Sequence, residues 1–328
     1  MIKTVKYILG LAILFFLIAY LYHNWRDMRY LLNINRWDLL SIYVISLLAQ
    51  LNTAYNVRYL LFAFQIKTGF GDMFVLQNAV NLLNYVPMKF GTLFRANYLK
   101  RHYGLTYARF GAFFVYLNLL MFFTASVASL CILISVYDLA SYASKVIFAA
   151  FALILVLSFC VAFVPLPAIS STHKLGKILN NFLDARHQMG KNKKTLIFCT
   201  LLLLFNFIIT SIRLGIIYHS IGQELHPAGY LILGALGYTT LFLSLTPGSL
   251  GIRELVLSSG GVALGIPLKI GILAALIDRA VALSWVFVIG SACTTWLWRK
   301  YPADFTTPQF SSKPGEKENS GSTDLLQN

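Results

Sequence analysis

The sequence is short of charge, and above all of acidic residues. Of 328 residues only 12% are charged, and 12 acids stand against 27 lysines and arginines, a formal net charge of +15. Soluble domains carry about 25% charged residues, so this composition excludes an ordinary soluble enzyme or nucleic-acid-binding protein. The basic excess instead fits the positive-inside rule and contact with anionic lipid headgroups. We therefore predict an integral membrane protein.

Cysteine is also scarce, and its placement excludes a disulfide or zinc framework. The four cysteines all lie within apolar runs, at Cys131, Cys160, Cys199 and Cys293. No nucleotide-binding glycine loop, zinc-protease motif or Gly-x-Ser-x-Gly elbow occurs. One small group of metal-type ligands stands in a predicted loop, at His219, Glu224 and His226. We predict no metal site, no cofactor and no enzymatic activity.

Long apolar runs are what the sequence has in abundance. A helix of about 20 residues crosses about 30 Å of hydrocarbon. Six uninterrupted runs are long enough: Val5–Tyr22, Leu39–Phe64, Phe110–Val136, Lys145–Pro165, Leu196–Tyr218 and Ile270–Trp298. The first of these lacks a small-residue cleavage site after it, so we interpret it as an uncleaved span and not as a signal peptide.

Two further apolar runs are interrupted by proline and glycine. Met73–Val86 is followed by Pro87 and Gly91; Ala228–Thr246 is followed by Pro247, Gly248 and Gly251, and the apolar pattern resumes at Ile252–Ile266. Proline removes a backbone donor and glycine weakens a helix, so both interruptions predict re-entrant helical hairpins. The predicted fold is an all-α polytopic membrane protein with about six full spans and two such hairpins, eight hydrophobic segments in all.

The two halves of the chain correspond when one is shifted by 160 positions. Pro87 then falls on Pro247, Gly91 on Gly251, and Asn118 on Asp278. Three crossings and one hairpin per half would invert the second half relative to the first. We therefore predict one integral membrane domain over 1–300, built from inverted halves of about 1–140 and 141–300.

The distribution of basic residues predicts the orientation in the membrane. The segment 170–194 is basic and amphipathic, which indicates a helix on the cytoplasmic surface, or one packed against the cytoplasmic face of the bundle. The tail 301–328, rich in proline, serine, glycine and charge, is predicted to be disordered and cytoplasmic. Both termini are then inside a multi-pass protein of the cell's inner, cytoplasmic membrane. The loop 23–38 is the exception, because it carries three arginines yet lands outside.

Only two of the twelve acids, Glu254 and Asp278, lie within predicted membrane segments; Asp38 and Asp72 are among six placed in loops. A charge at a helix centre costs ~2.5–3.5 kcal/mol on insertion scales, so such residues are normally paired and often functional. Adjacent residues on a helix do not face each other. We therefore predict a cross-helix pair, Glu254 with Arg279 or Asp278 with Arg253. Such a pair either only fixes helix packing or forms part of a headgroup site.

The first half offers Arg95, eight residues past Pro87. Asn84 follows Asn78 and Asn81 at intervals of three, which gives the preceding half-helix one polar face. Helix N-termini after the breaks add free backbone donors, and together these groups suit a phosphate. The alternative for Arg95 is a side chain that extends to the membrane interface. We predict that behaviour for Arg58 and Arg213, which lie near the ends of their spans. Three further asparagines either line a cavity or bond between helices: Asn52, Asn56 and Asn206.

The motifs resemble a known family. They read Asn84-x-x-Pro87-x-x-x-Gly91-x-x-x-Arg95, Pro247-Gly248-Ser249-Leu250-Gly251-Ile252-Arg253-Glu254, and then Arg279 in the last span. They resemble the transmembrane region of lysylphosphatidylglycerol synthases, which also occurs in stand-alone flippase-like membrane proteins. The resemblance implies a region that flips lipid, without the soluble domain that performs aminoacyl transfer. Thr92 stands where the family commonly has an acid, and Ser249 replaces a usual glycine.

The leading functional hypothesis is translocation of a lipid or lipid-linked anionic headgroup between leaflets. Arg95 and Arg253 would hold the anion, and Glu254 and Asp278 would balance charge or couple movement to protons. One alternative is a non-catalytic membrane partner of a lipid-modifying or glycan-assembling enzyme, docked through 170–194. Another is a membrane glycosyltransferase using the acids of the 23–38 loop. The expected partners are membrane lipids and such an enzyme, and no nucleic acid.

Overall fold

The structure is a computed structural model that describes residues 34–85, 90–136, 142–163, 192–240 and 251–302, together with positions 180, 183 and 187. Within these ranges the chain is helical and has no strand, so the all-α prediction is confirmed. Nine helices are present there: α1 Arg36–Phe62, α2 Phe70–Leu83, α3 Phe90–Tyr103, α4 Tyr107–Val136, α5 Tyr142–Phe163, α6 Lys193–Ser220, α7 Pro227–Thr239, α8 Ile252–Ala263 and α9 Leu268–Lys300.

Every apolar segment predicted within the described ranges forms a helix. Four helices are long and apolar enough to cross a membrane: α4, α5, α6 and α9. The predicted span at Leu39–Phe64 forms α1, which has 27 residues but carries polar Gln50, Asn52 and Asn56 in its middle. The predicted first span Val5–Tyr22, most of 170–194 and nearly all of the 301–328 tail lie outside the described residues.

Two acidic residues lie at the N-terminal ends of helices. Asp38 and Asp72, predicted in loops, occupy the first turns of α1 and α2, so that prediction is wrong. The partial positive charge of a helix N-terminus favours an acid at that place. Asn35 caps α1 by accepting a hydrogen bond from the Trp37 backbone N–H at 3.2 Å. These two acids next to apolar runs therefore belong to the helices.

α1 and α6 pack along each other at the centre of the described structure. Three asparagine amides join them: Asn52, Asn56 and Asn206 donate to backbone carbonyl oxygens of the opposite helix at 2.8, 2.9 and 3.1 Å. Side-chain to backbone bonds of this kind hold helices together where there is no water to compete. Of the two alternatives from the sequence, these amides take the interhelical one.

The short helices pack across the halves of the chain. α2 packs against α1 and against the C-terminal part of α9, and α7 packs against α6 and α4. α5 packs chiefly on α4, and its other side exposes apolar residues that include Leu153, Val156 and Leu157. An exposed apolar face on such an apolar helix is expected where lipid covers it. With four span-length apolar helices, the chain is a membrane protein.

Candidate functional site

Five charged side chains meet where α6, α8 and α9 pack together. Asp278 is only 1% exposed; its Oδ1 lies 2.6 Å from Nη2 of Arg213, and its Oδ2 lies 2.8 Å from Nη2 of Arg253. Beside them, Nε of Arg279 lies 3.7 Å from Oε1 of Glu254. We call these five residues the charge cluster. It places three guanidinium groups and two carboxylates inside the helix packing.

Both cross-helix pairs predicted from the sequence are present. The prediction for the third arginine of the cluster, Arg213, is wrong. Arg213 was predicted to extend to the membrane interface, but it turns inward to Asp278. Ser46 on α1 accepts a hydrogen bond from Nη1 of Arg213 at 3.2 Å and holds it there. A carboxylate has two oxygens and can accept from two arginines. No pattern in the sequence marks Arg213 as this second partner, because its inward turn depends on Ser46 of a neighbouring helix.

The start of α8 positions Glu254. Gly251, the residue before α8, has φ of +83°, a left-handed conformation that glycine adopts without a steric penalty. Its backbone N–H donates to Oε2 of Glu254 at 2.8 Å. One carboxylate oxygen therefore satisfies a free donor at the helix start, while the other lies toward Arg279. The break residues Pro247 and Gly248, and Ser249 after them, lie outside the described residues.

The charge cluster also touches the end of α2. The guanidinium carbon of Arg279 lies 5.6 Å from the ring centroid of Tyr85, within the range of a cation–π contact. Tyr85 is the last described residue before the break at 86–89, which contains Pro87. Gly251 flanks the other break and contacts Glu254. The cluster therefore lies beside the flanks of both predicted breaks.

Arg95 and Asn84 have partners across the contact between α2 and α3. Arg95 is buried on α3, and its Nη2 donates to Oε1 of Gln77 on α2 at 2.5 Å. Oδ1 of Asn84, at the end of α2, accepts from the backbone N–H of Thr92 at 3.1 Å and so joins α2 to α3. A Cβ at Gly91 would collide with the carbonyl of α2 and lie 2.7 Å from the Asn84 amide oxygen. This close approach is what requires glycine there.

The charge cluster can bind an anion. Its three guanidinium groups exceed its two carboxylates by one positive charge. The Nε groups of Arg213 and Arg253 are buried and have no hydrogen-bond partner among the described residues. Arginine donates in a planar fork that matches phosphate oxygens. A phosphate group is therefore the ligand that this arrangement suits.

The three residues of metal-ligand type, His219, Glu224 and His226, make contacts of other kinds. Nδ1 of His219 lies 3.9 Å from Oε1 of Glu224, and both side chains are exposed. His226 begins α7 and accepts a hydrogen bond from the backbone N–H of Ala228 at 3.3 Å. In the part of the chain that the structure describes, no group of three or more His, Cys, Asp or Glu side chains could hold a metal ion.

Comparison with known proteins gives a family. No curated protein and no solved structure matches the chain. The family model described as the lysylphosphatidylglycerol synthase TM region matches residues 7–290, which include the whole charge cluster and both breaks. This match covers most of the 328 residues and agrees with the resemblance of the motifs. The chain therefore belongs to the lysylphosphatidylglycerol synthase transmembrane-region family.

Proposed function

We propose that the protein translocates a lipid with an anionic headgroup between the leaflets of its membrane, and that the charge cluster holds the phosphate of that headgroup. The observation that carries this proposal is a buried group of five charges with one positive charge in excess. Charged groups within membrane helices are costly and commonly mark the pathway of a substrate or ion. Membership of a family named after a lipid synthase supports a lipid as the substrate.

Arg253 is the arginine of the charge cluster that is most accessible to a headgroup. Its side chain is 17% exposed, the most of the three arginines in the cluster. Asp278 holds Arg213 and Arg253 in fixed orientation, so little reorganisation is needed when a phosphate arrives. Glu254 and Asp278 balance most of the positive charge, which leaves the site able to release an anion as well as bind it. The proposed activity is transport and not catalysis.

The arrangement of the halves supports an internal repeat, and we propose that the two halves are inverted relative to each other. Shifted by 160 positions, the starts of α1, α2, α3 and α4 fall within three residues of the starts of α6, α7, α8 and α9. The short helix α2 packs on α9, and its counterpart α7 packs on α4. Such reciprocal packing allows one half to rock against the other around a central site. We place the protein in the inner membrane with both termini cytoplasmic.

The test is translocation by the Arg253→Ala variant. The full chain is reconstituted into vesicles that contain fluorescent phosphatidylglycerol, and dithionite reduces the label of the outer leaflet. We expect Arg253→Ala to lose translocation by about tenfold or more, because a hydrogen bond to a charged group contributes about 1.5–3 kcal/mol. Asp278 keeps its pair with Arg213, so the variant retains a paired carboxylate. Translocation equal to that of the wild type would contradict the proposal.

The matched control is Arg101→Ala. Arg101 is exposed at the end of α3 and lies outside the charge cluster. This variant removes an equal charge, so it corrects for altered insertion or vesicle binding. We expect wild-type translocation from it.

The two alternative functions depend on parts of the chain other than the charge cluster. The enzyme-partner hypothesis depends on 170–194, most of which lies outside the described residues. The glycosyltransferase hypothesis depends on Asp27, outside them as well, and on Asp38 in the first turn of α1. The N-terminal position of Asp38 has a structural reason, because an acid stabilises that end of a helix.

A further inference from the structure

Arg95 is a buried cation to which the described residues supply no counter-charge. Its side chain is 6% exposed, and its Nε has no hydrogen-bond partner among them. Its one hydrogen bond in that part of the chain goes to the neutral amide of Gln77. None of the described acids pairs with it; they are Asp38, Asp72, Glu224, Glu254 and Asp278. Burying a charge without a partner is costly, so such a residue points to an anionic ligand.

Gln77, the hydrogen-bond partner of Arg95, belongs to a chain of amide side chains. Nε2 of Gln77 donates to Oδ1 of Asn81 at 3.1 Å, and Nδ2 of Asn81 donates to Oε1 of Gln50 on α1 at 3.3 Å. These side chains are neutral, so the local charge remains that of the guanidinium. The site therefore differs from the charge cluster, in which two carboxylates offset two of the three arginines.

One face of α1 connects Arg95 with the charge cluster. Gln50 ends the amide chain that begins at Arg95. Ser46 lies four residues earlier, so it is the neighbour of Gln50 on the same helix face. Ser46 accepts the hydrogen bond from Arg213 of the cluster. Part-buried amide side chains therefore link Arg95 to Gln50, and Ser46, the neighbour of Gln50 on the same face of α1, contacts Arg213.

We propose that Arg95 and Gln77 form a second phosphate-binding site, separate from the charge cluster, and that a headgroup occupies the two sites in succession during translocation. This inference rests on the proposed function. Among the described residues the site has one positive charge and no carboxylate, so it favours a headgroup of net negative charge. A headgroup with an added amine is offered amide oxygens by these residues and no counter-charge.

The experiment counts lipids bound to the full-length protein by native mass spectrometry in detergent. The probe is phosphatidylglycerol, with phosphatidylcholine as the zwitterionic comparison of zero net charge. We expect two retained phosphatidylglycerol molecules on the wild type and on the exposed-site control Arg101→Gln, and one on Arg95→Gln. An Arg95→Gln variant that retains as many as the wild type, or a wild type that retains fewer than two, overturns the second site.

A separate arm distinguishes a lipid from a soluble phosphate. Glycerol 3-phosphate is added in place of lipid, at the same concentration. Binding of phosphatidylglycerol alone supports a lipid headgroup as the source of the phosphate. Arg95-dependent binding of glycerol 3-phosphate alone overturns the succession of sites in lipid translocation.

Thr92→Glu tests the charge of the site without removing Arg95. Position 92 is three residues before Arg95 on α3, so a glutamate there lies on the same helix face. The added carboxylate would pair with Arg95 and compete with the ligand. We expect about tenfold weaker retention of phosphatidylglycerol at this site, while Thr92→Gln keeps wild-type retention. Equal retention by Thr92→Glu and Thr92→Gln overturns the proposal.

The stability of the lipid-free protein separates a binding role from a structural one. Arg95→Gln removes a buried charge that has no counter-charge, so we expect an unchanged or higher melting temperature without lipid. A clearly lower melting temperature would assign Arg95 to the packing of the hairpin and overturn the site. Translocation is measured on the same samples. Two bound lipids without translocation contradict the proposed function alone, whereas translocation with an unchanged lipid count on Arg95→Gln contradicts the second site alone.

Discussion

Asp278 is the residue on which the charge cluster depends most. Its two oxygens accept from Arg213 and Arg253, and it is almost completely buried. Asp278→Asn keeps the shape of the side chain but leaves two buried guanidinium groups without their carboxylate. Removing one partner of a buried ion pair costs about 3–5 kcal/mol. We expect Asp278→Asn to lose heat resistance and translocation together, measured as the fraction that stays folded in detergent after heating.

Two further variants make this prediction specific. Glu224→Gln is the control, because the Glu224 side chain is 86% exposed and pairs only at 3.9 Å with His219. The double variant Asp278→Asn with Arg253→Gln removes one of the stranded cations as well. We expect it to be less destabilised than the sum of the two single changes, by a coupling of about 0.5–3 kcal/mol. Strict additivity would show that the pair does not interact.

At the level of single residues, the sequence predicted which charged residues pair more successfully than it predicted which side chains turn into the protein. Because acids are so few, Glu254 and Asp278 could be matched with Arg279 and Arg253 by elimination. Arg213 was missed, since its distance from the end of a span says nothing about the direction of its side chain. Whether an arginine turns inward depends on the neighbouring helix, here on Ser46 of α1. Ser46 is 167 residues away from Arg213 in the sequence, and no periodic pattern indicates that the two residues are in contact.

At the scale of elements, the close approach of α3 to α2 depends on Gly91. A Cβ there would collide with the backbone carbonyl of Val80 and lie 2.9 Å from the backbone nitrogen of Asn84. Gly91→Ala should push α3 away from α2 and lower the melting temperature. Gly111→Ala is the matched control, because nothing lies within 4 Å of its added Cβ and alanine favours a helix by about 1 kcal/mol. Equal effects of the two changes would contradict the close approach at Gly91.

Helices were predictable from the sequence because a lipid environment requires long apolar runs, which are easy to recognise. The interrupted run Met73–Val86 forms α2, Phe70–Leu83, and Ile252–Ile266 forms α8, Ile252–Ala263. The basic residues of Tyr98–Arg109 predict a cytoplasmic loop there, but most of this stretch is helical, because α3 extends to Tyr103 and α4 begins at Tyr107. Lysine and arginine near the end of α3 were taken as a loop, although basic side chains also stabilise a helix C-terminus. Composition alone does not separate those two cases.

For the whole molecule, the central question is how the two halves are related. Equivalent helices start at matching positions, and the short helices α2 and α7 each pack on the long last helix of the other half. A parallel repeat and an inverted repeat can both give this contact pattern. They differ in the side of the membrane from which each break is reached. Labelling from the two sides therefore decides between them.

The last prediction places single cysteines at the two breaks. The four native cysteines are first replaced by alanine, which removes one sulfur atom at each position and so changes the volume little. Two of these positions are exposed on apolar helices and two are buried. Lys89→Cys and Ser249→Cys are then labelled with a membrane-impermeant maleimide from either side. The positive-inside rule and three crossings per half predict that position 89 reacts only from the cytoplasm and position 249 only from outside. Reaction of both from one side would contradict the inverted repeat, and the rocking of inverted halves around the charge cluster would lose its geometric basis.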